Sequence, residues 1–197
     1  MKLPAKRRRF VVCVTVAAAV AALLPASSSQ AALDTQSGNY MRNVASRKCL
    51  EIGGFNRQPY GPAVQYTCVF GDNQEWWVRP FRAGLLVRAW HTAISEHPND
   101  SCLGVPGAST EDGVLVVQLP CDNGDNVIWL EDDTPVNAPP AIAPLYEDSF
   151  KLRNLFSGKC LSLAGPSTAD WAPVVQRACD GAGDQRWQTV PYKNPYG

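Results

Sequence analysis

Apolar and polar residues alternate in short segments from residue 40 onwards, and each segment is only five to seven residues long. Alternation with a period of two, or a short apolar run between turn residues, is typical of β-strands. Gly, Pro, Asn, Asp and Ser fill the gaps and favour turns. The pattern therefore predicts twelve strands, at 40–44, 48–52, 63–68, 75–80, 85–90, 101–105, 114–120, 127–131, 150–155, 159–163, 173–179 and 186–190.

One arrangement of Cys, Leu, Gln and Trp recurs three times along these strands. In each copy two cysteines are 19 positions apart, Leu follows the first, Gln lies three before the second, and Trp lies eight after it. A single copy could not bury its apolar face, so the three copies are expected to share one core. We predict an all-β domain over 33–197, with repeats at approximately 38–83, 84–133 and 149–191, a Pro-rich connecting loop at 134–148, and core tryptophans Trp76, Trp129 and Trp187.

The first 32 residues have the layout of a secretory signal peptide. Five basic residues lie in the first nine, an apolar run covers 10–24, and small residues follow Pro25. A membrane anchor would need about 20 apolar residues, and this run is shorter. The sequence therefore predicts cleavage near Ala31 or Ala32 and a secreted protein without stable membrane insertion.

Six cysteines remain after Cys13 leaves with the leader, and an even number in an exported chain indicates disulfide bonds. Because the 19-residue spacing occurs three times, we predict one bridge within each repeat. The predicted pairs are Cys49 with Cys68, Cys102 with Cys121, and Cys160 with Cys179.

Net charge excludes two classes of partner. The whole chain has 18 basic and 18 acidic residues, and removing the five basic residues of 1–32 leaves 13 basic against 18 acidic, a net charge of about −5. Binding to nucleic acid or to anionic lipid requires basic patches. We therefore expect no nucleic-acid partner.

The repeats resemble the ricin B-type lectins and related carbohydrate-binding modules, and the resemblance covers roughly residues 40–191. It rests on the Gln-x-Trp ending of the repeats and on similar opening phrases after each first cysteine. It implies a β-trefoil fold and a glycan or polysaccharide ligand of galactose or xylose type. The residues that carry it are Gln74-Glu75-Trp76, Gln185-Arg186-Trp187, the degenerate Val127-Ile128-Trp129, and 48–52, 101–105 and 159–163.

The same resemblance implies candidate sugar-binding residues. A carboxylate two residues after the first Cys and an Asn before the Gln of Gln-x-Trp would bond hydroxyls, and the Gln would orient the carboxylate. An aromatic ring two residues before the second Cys would stack on a pyranose. The first repeat supplies Glu51, Tyr66, Asn73 and Gln74, although Glu replaces the shorter Asp of the family.

The other two repeats lack the complete set. The second lacks both carboxylate and ring. The third lacks the ring at the expected position, but Trp171 in a turn could supply one there. The matching residues are Gly104, Leu119, Asn126 and Val127 in the second repeat, and Ser162, Arg177, Asp184 and Gln185 in the third.

No pattern of catalytic residues is present in the predicted mature sequence. Its two histidines, His91 and His97, have no marked nucleophile, and no phosphate-binding glycine loop follows a strand. Cysteines committed to bridges leave no thiolate for catalysis or zinc. We expect a non-catalytic protein without cofactor or metal.

The sequence is compatible with two functions. The first is a secreted lectin that binds glycans weakly, mainly through the first repeat. The second is a trefoil without sugar binding that serves as a protein-interaction module, such as an inhibitor, an adhesin or a toxin-delivery subunit. The complete set in the first repeat favours the first hypothesis, and erosion of the other two favours the second.

Overall fold

The computed structural model of the protein describes residues 33–93, 100–122, 124–136 and 138–191, so the predicted leader lies outside the described residues. The twelve predicted strands are present, with bounds within a few residues of those expected. They are β1 (Asn39–Asn43), β2 (Cys49–Ile52), β3 (Ala63–Tyr66), β4 (Glu75–Phe81), β5 (Gly84–Ala89), β6 (Ser101–Gly104), β7 (Val117–Pro120), β8 (Ile128–Asp132), β9 (Ser149–Asn154), β10 (Cys160–Leu163), β11 (Val174–Arg177) and β12 (Trp187–Val190).

Six of the strands close into an antiparallel barrel. The ring runs β1, β4, β5, β8, β9 and β12, and β12 pairs with β1 to complete it. Three hairpins, β2–β3, β6–β7 and β10–β11, each attach to one barrel strand of their own repeat. Three copies of a four-strand unit around one barrel make a β-trefoil, which confirms the predicted fold class.

Helical structure is limited to single turns in the described part of the chain. The two α-helical turns are α1 (Trp90–Ala93) and α2 (Ala143–Tyr146). Helix α2 lies inside the stretch 134–148 that was expected to be a loop, and Pro144 occupies its first turn, where proline is well tolerated. Short 3-10 turns cover Gly53–Phe55, Pro106–Ala108, Asp125–Val127 and Gly183–Gln185. Among the described helices, none has the length and apolarity to cross a membrane.

The repeated tryptophans lie at the centre of the shared core, as predicted. Trp76, Trp129 and Trp187 are fully buried in one cluster. Their indole N–H groups donate to the carbonyls of Leu50, Leu103 and Leu161 respectively, at 3.1, 2.8 and 3.2 Å. Each tryptophan therefore ties the hairpin of its repeat to the barrel.

Each hairpin is closed by the predicted disulfide. The bridges are Cys49–Cys68, Cys102–Cys121 and Cys160–Cys179, each across 19 positions. Closing a loop of about 20 residues stabilises the folded state by roughly 3 kcal/mol.

The repeats are joined in a cycle, because each contributes a loop to the next repeat's hairpin. A Gln in the receiving hairpin donates from its side-chain amide to two backbone carbonyls of the incoming loop. Gln118 binds the first repeat's loop at Asn56 and Gln58, Gln176 binds the second repeat's loop at Ser109 and Glu111, and Gln65 binds the third repeat's loop at Ser167 and Ala169. The repeated Gln of the sequence pattern thus holds neighbouring repeats together.

The same loops make backbone contacts at equivalent positions. The N–H of Tyr60 donates to Gln118 O, that of Gly113 to Gln176 O, and that of Trp171 to Gln65 O, each at 2.8 Å. All three residues that donate have positive φ, of 68°, 79° and 68°. Tyr60, Gly113 and Trp171 are therefore equivalent positions of the trefoil, each presented to the following repeat.

Candidate functional site

The four candidate residues of the first repeat lie together at the β2–β3 hairpin and the turn before β4. In the hairpin, Cys49 pairs with Tyr66 and Glu51 pairs with Val64. Because side chains two residues apart on a strand share a face, Glu51 and Tyr66 project on the same side. Asn73 and Gln74 approach from the turn that leads into β4.

Gln74 holds Glu51 in place, as the family resemblance implied. Its side-chain Nε2 donates to Glu51 Oε2 at 2.8 Å and to the carbonyl of Thr67 at 2.9 Å. Its Oε1 accepts from the backbone N–H groups of Val69 and Phe70, at 2.9 and 3.0 Å. With its donors and acceptor engaged and no exposed surface, Gln74 fixes the position of the Glu51 side chain.

Glu51 is a carboxylate almost completely removed from solvent, with 3% of its surface exposed. Burial raises the pKa of Glu51 above its ordinary value, because a charge is costly in a poorly solvated site. Hydrogen bonds from the side chains of Gln74 and Asn73 oppose this rise in the pKa, and the nearby charge of Asp170 adds to it.

Asn73 is also buried, with 2% of its surface exposed. Its Nδ2 donates to the carbonyl of Ile52 at 3.2 Å. Its Oδ1 is buried and accepts no hydrogen bond within the described part of the chain. Among the described residues, Asp184 Oδ1 at the equivalent position of the third repeat is likewise buried without a partner.

Tyr66 is partly exposed at the edge of this polar group and contacts an aromatic residue of the third repeat. The ring centroids of Tyr66 and Trp171 are 5.0 Å apart with an interplanar angle of 62°, an edge-to-face pair. An added Cβ at Gly53 would lie 3.5 Å from Cζ3 of Trp171, so the ring packs over that glycine. The expectation that Trp171 serves the third repeat was wrong, because the cyclic exchange of loops brings it to the first.

The equivalent pocket of the second repeat is filled by apolar side chains. An added Cβ at Gly104 would lie 2.8 Å from Val127 Cγ1 and 3.0 Å from Leu119 Cδ1, which leaves no space for a carboxylate. Leu119 and Val127 belong to a second buried hydrophobic cluster with Leu86 and Ile128. The apolar residues at these positions therefore pack together and fill the second pocket.

The equivalent pocket of the third repeat is occupied by its own ion pair. Arg177 Nη1 lies 2.8 Å from Asp184 Oδ2 and 3.5 Å from Ser162 Oγ. These three residues stand at the positions of Tyr66, Asn73 and Glu51. The guanidinium thus occupies the third pocket and binds one oxygen of its carboxylate, while Asp184 Oδ1 has no partner within the described residues.

His91 contacts the first repeat's loop at Asn56 and Phe55. It is buried, with Nε2 2.8 Å from the carbonyl of Asn56, while Nδ1 has no partner within the described residues. Burial lowers the pKa of His91 below its ordinary value, which favours the neutral ring. His97 lies outside the described residues, and no group of three His, Cys, Asp or Glu side chains among the described residues could hold a metal ion.

Comparison of the sequence with known protein families identifies one match. The ricin-type β-trefoil lectin domain-like family model matches residues 143–196, which contain the third repeat. No curated protein matches the chain significantly.

Solved structures match the fold over most of the chain. A designed threefold-symmetric protein, ThreeFoil, is 28% identical over 79% of this chain and 99% of its own, with a TM-score of 0.67. A ricin B-like lectin from Macrolepiota procera, solved with lactose, is 20% identical over 80% of this chain and 97% of its own, with a TM-score of 0.61. An exo-β-1,3-galactanase from Clostridium thermocellum is 19% identical over 81% of this chain but only 31% of its own, with a TM-score of 0.65.

These matches confirm the resemblance drawn from the Gln-x-Trp repeats. The chain has the β-trefoil fold of the ricin B-type lectins, with three disulfides placed as the repeat spacing predicted.

Proposed function

We propose that the protein is a secreted, non-catalytic lectin that binds glycans weakly through one main site in the first repeat. The observation that carries the proposal is the difference between the three equivalent pockets. The second is filled by Val127 and Leu119, and the third by the Arg177–Asp184 pair. The first keeps a carboxylate oriented by Gln74, the buried amide of Asn73 beside it, and an aromatic rim.

Each residue of the first pocket has a role in this proposal. Glu51 accepts a hydrogen bond from a sugar hydroxyl, and the side-chain amide of Asn73 makes a second. Tyr66 offers its ring to the C–H face of the pyranose. Gln74 fixes the carboxylate and makes no contact with the ligand.

Weak affinity follows from the burial of the polar groups. Because Glu51 and Asn73 expose 3% and 2% of their surfaces, a sugar reaches only their edges and forms few hydrogen bonds. We expect dissociation constants on the order of 0.1 to 10 mM, or roughly 3 to 5 kcal/mol of binding free energy. The three disulfides and the leader-like residues 1–32 support export to an oxidising compartment.

The test is titration of the mature protein with galactose, xylose and lactose, followed by NMR chemical shifts. Tyr66→Ala is expected to weaken binding by about tenfold through loss of stacking. Asn73→Ala removes the proposed hydrogen bond from the side-chain amide and should weaken binding by several-fold.

Matched controls separate binding from folding. Asn126 makes the same backbone bond in the second repeat as Asn73 makes in the first, donating to Val105 O at 2.9 Å. Asn126→Ala should therefore lower stability by a similar amount and leave sugar affinity unchanged. Ser162→Ala should also leave sugar affinity unchanged. Equal losses of affinity in Asn73→Ala and Asn126→Ala would contradict the assigned site.

The alternative is a protein-interaction module, favoured by one observation. Several large apolar side chains near the loop tips are exposed, including Phe55, Tyr60 and Trp171 at 53%, 66% and 54%. Absence of any shift with any sugar at tens of millimolar would favour this alternative over the lectin proposal.

A further inference from the structure

The loop that carries Trp171 is fixed against the first-repeat site from three directions. The backbone N–H of Trp171 donates to Gln65 O at 2.8 Å, and Ala172 O accepts from Gln65 N at 2.9 Å. Asp170 forms an ion pair with Lys48 Nζ at 2.7 Å and accepts from the N–H of Thr67 at 2.8 Å. The Trp171 ring is therefore presented at a defined place while 54% of the residue stays exposed.

The identity of the residue at this position differs among the three repeats. The loop needs a left-handed backbone, which the second repeat meets with Gly113 at φ 79°. A tryptophan at φ 68° is less favourable there, because its Cβ crowds the backbone. Tyr60 has the same φ in the first repeat, so the surroundings of the Trp171 ring, and not its backbone, distinguish it.

Only the first pocket of the described fold combines an aromatic ring from the neighbouring loop with a carboxylate and an amide that no apolar or cationic side chain covers. Tyr60 lies against the second hairpin, where the pocket is apolar and filled, and Gly113 brings no ring to the third. Trp171 alone reaches a hairpin that holds a carboxylate and a tyrosine.

We propose that Trp171 of the third repeat forms a second sugar-contact wall of the first-repeat site, and that it selects oligosaccharides of at least two units over monosaccharides. This inference rests on the proposed function. The planes of Tyr66 and Trp171 meet at 62°, so both cannot lie flat against one pyranose. A sugar stacked on Tyr66 therefore leaves Trp171 to contact the adjoining unit.

The experiment compares disaccharides with monosaccharides in NMR titrations of the mature protein, using lactose with methyl β-galactoside and xylobiose with xylose. We expect the unsubstituted protein to bind at least one disaccharide about three- to tenfold more tightly than its monosaccharide. Trp171→Gly, which suits the positive φ, should abolish this preference and change monosaccharide affinity less than twofold. Trp171→Phe should keep part of it.

Tyr60→Gly is the matched control, because Tyr60 is the equivalent residue with the same φ and is exposed. It should leave both affinities unchanged. Three results would overturn the inference while sugar binding stands. The unsubstituted protein could show no preference for disaccharides, the preference could survive in Trp171→Gly, or Trp171→Gly could weaken monosaccharide and disaccharide binding equally. Failure of the unsubstituted protein to bind any of the four sugars would overturn the proposed function as well.

Discussion

At the scale of single residues, burial of the Glu51 carboxylate opposes stability, while the same charge serves its proposed role in binding. Its carboxylate is buried beside Gln74, and the burial raises its pKa. A raised pKa in the folded state means that the folded protein holds this proton more tightly than the unfolded chain. The contribution of Glu51 to stability is therefore best at low pH and is lost as pH rises through the folded-state pKa.

Glu51→Gln is expected to stabilise the protein at pH 7 and to weaken sugar binding. The amide keeps an acceptor for Gln74 but removes the buried charge, and bonds to charged groups are about twice as strong as neutral ones. The gain in the free energy of unfolding should shrink towards zero below about pH 4.5. Denaturant titrations at pH 4 and pH 7 measure it, with Glu147→Gln, an exposed site, as the control. A stability gain that is the same at both pH values would contradict the assigned cause.

At the scale of the elements, the sequence was sufficient for the strands and the bridges but not for the exchange of loops. Strand positions and disulfides follow from local spacing, which repeats three times. The approach of Trp171 to Tyr66 joins residues 105 positions apart and depends on how the repeats close around the barrel. The sequence also showed that the second and third pockets were incomplete, but it could not show that Val127 and Arg177 fill them.

Removal of individual disulfides should separate stability from binding. The double substitution Cys102→Ser and Cys121→Ser is expected to lower the free energy of unfolding by about 3 kcal/mol and to leave sugar affinity unchanged. Cys49→Ser with Cys68→Ser should cost similar stability and also weaken binding, because that bridge fixes the hairpin of Glu51 and Tyr66. Thermal unfolding and sugar titration of both variants measure this, and unchanged sugar affinity in the first-repeat variant would count against the site.

At the scale of the whole molecule, three equivalent units have different surroundings at the same position. Threefold symmetry is retained by the core tryptophans, the disulfides and the glutamines that bind a neighbouring repeat's loop (Gln65, Gln118 and Gln176). Each repeat needs these residues to pack. The pockets need not be identical for the fold to form. The same barrel accommodates a pocket lined by polar side chains, one filled by apolar side chains and one filled by an ion pair. Binding can therefore be confined to one repeat.

The most direct test of this account is a chemical shift map of the mature protein during titration with lactose and with xylobiose. We expect one binding isotherm and perturbations confined to the surroundings of Glu51, Tyr66, Asn73 and Trp171. Perturbations centred on Gly104 and Leu119, or on Ser162 and Arg177, would contradict the claim that one repeat carries the site.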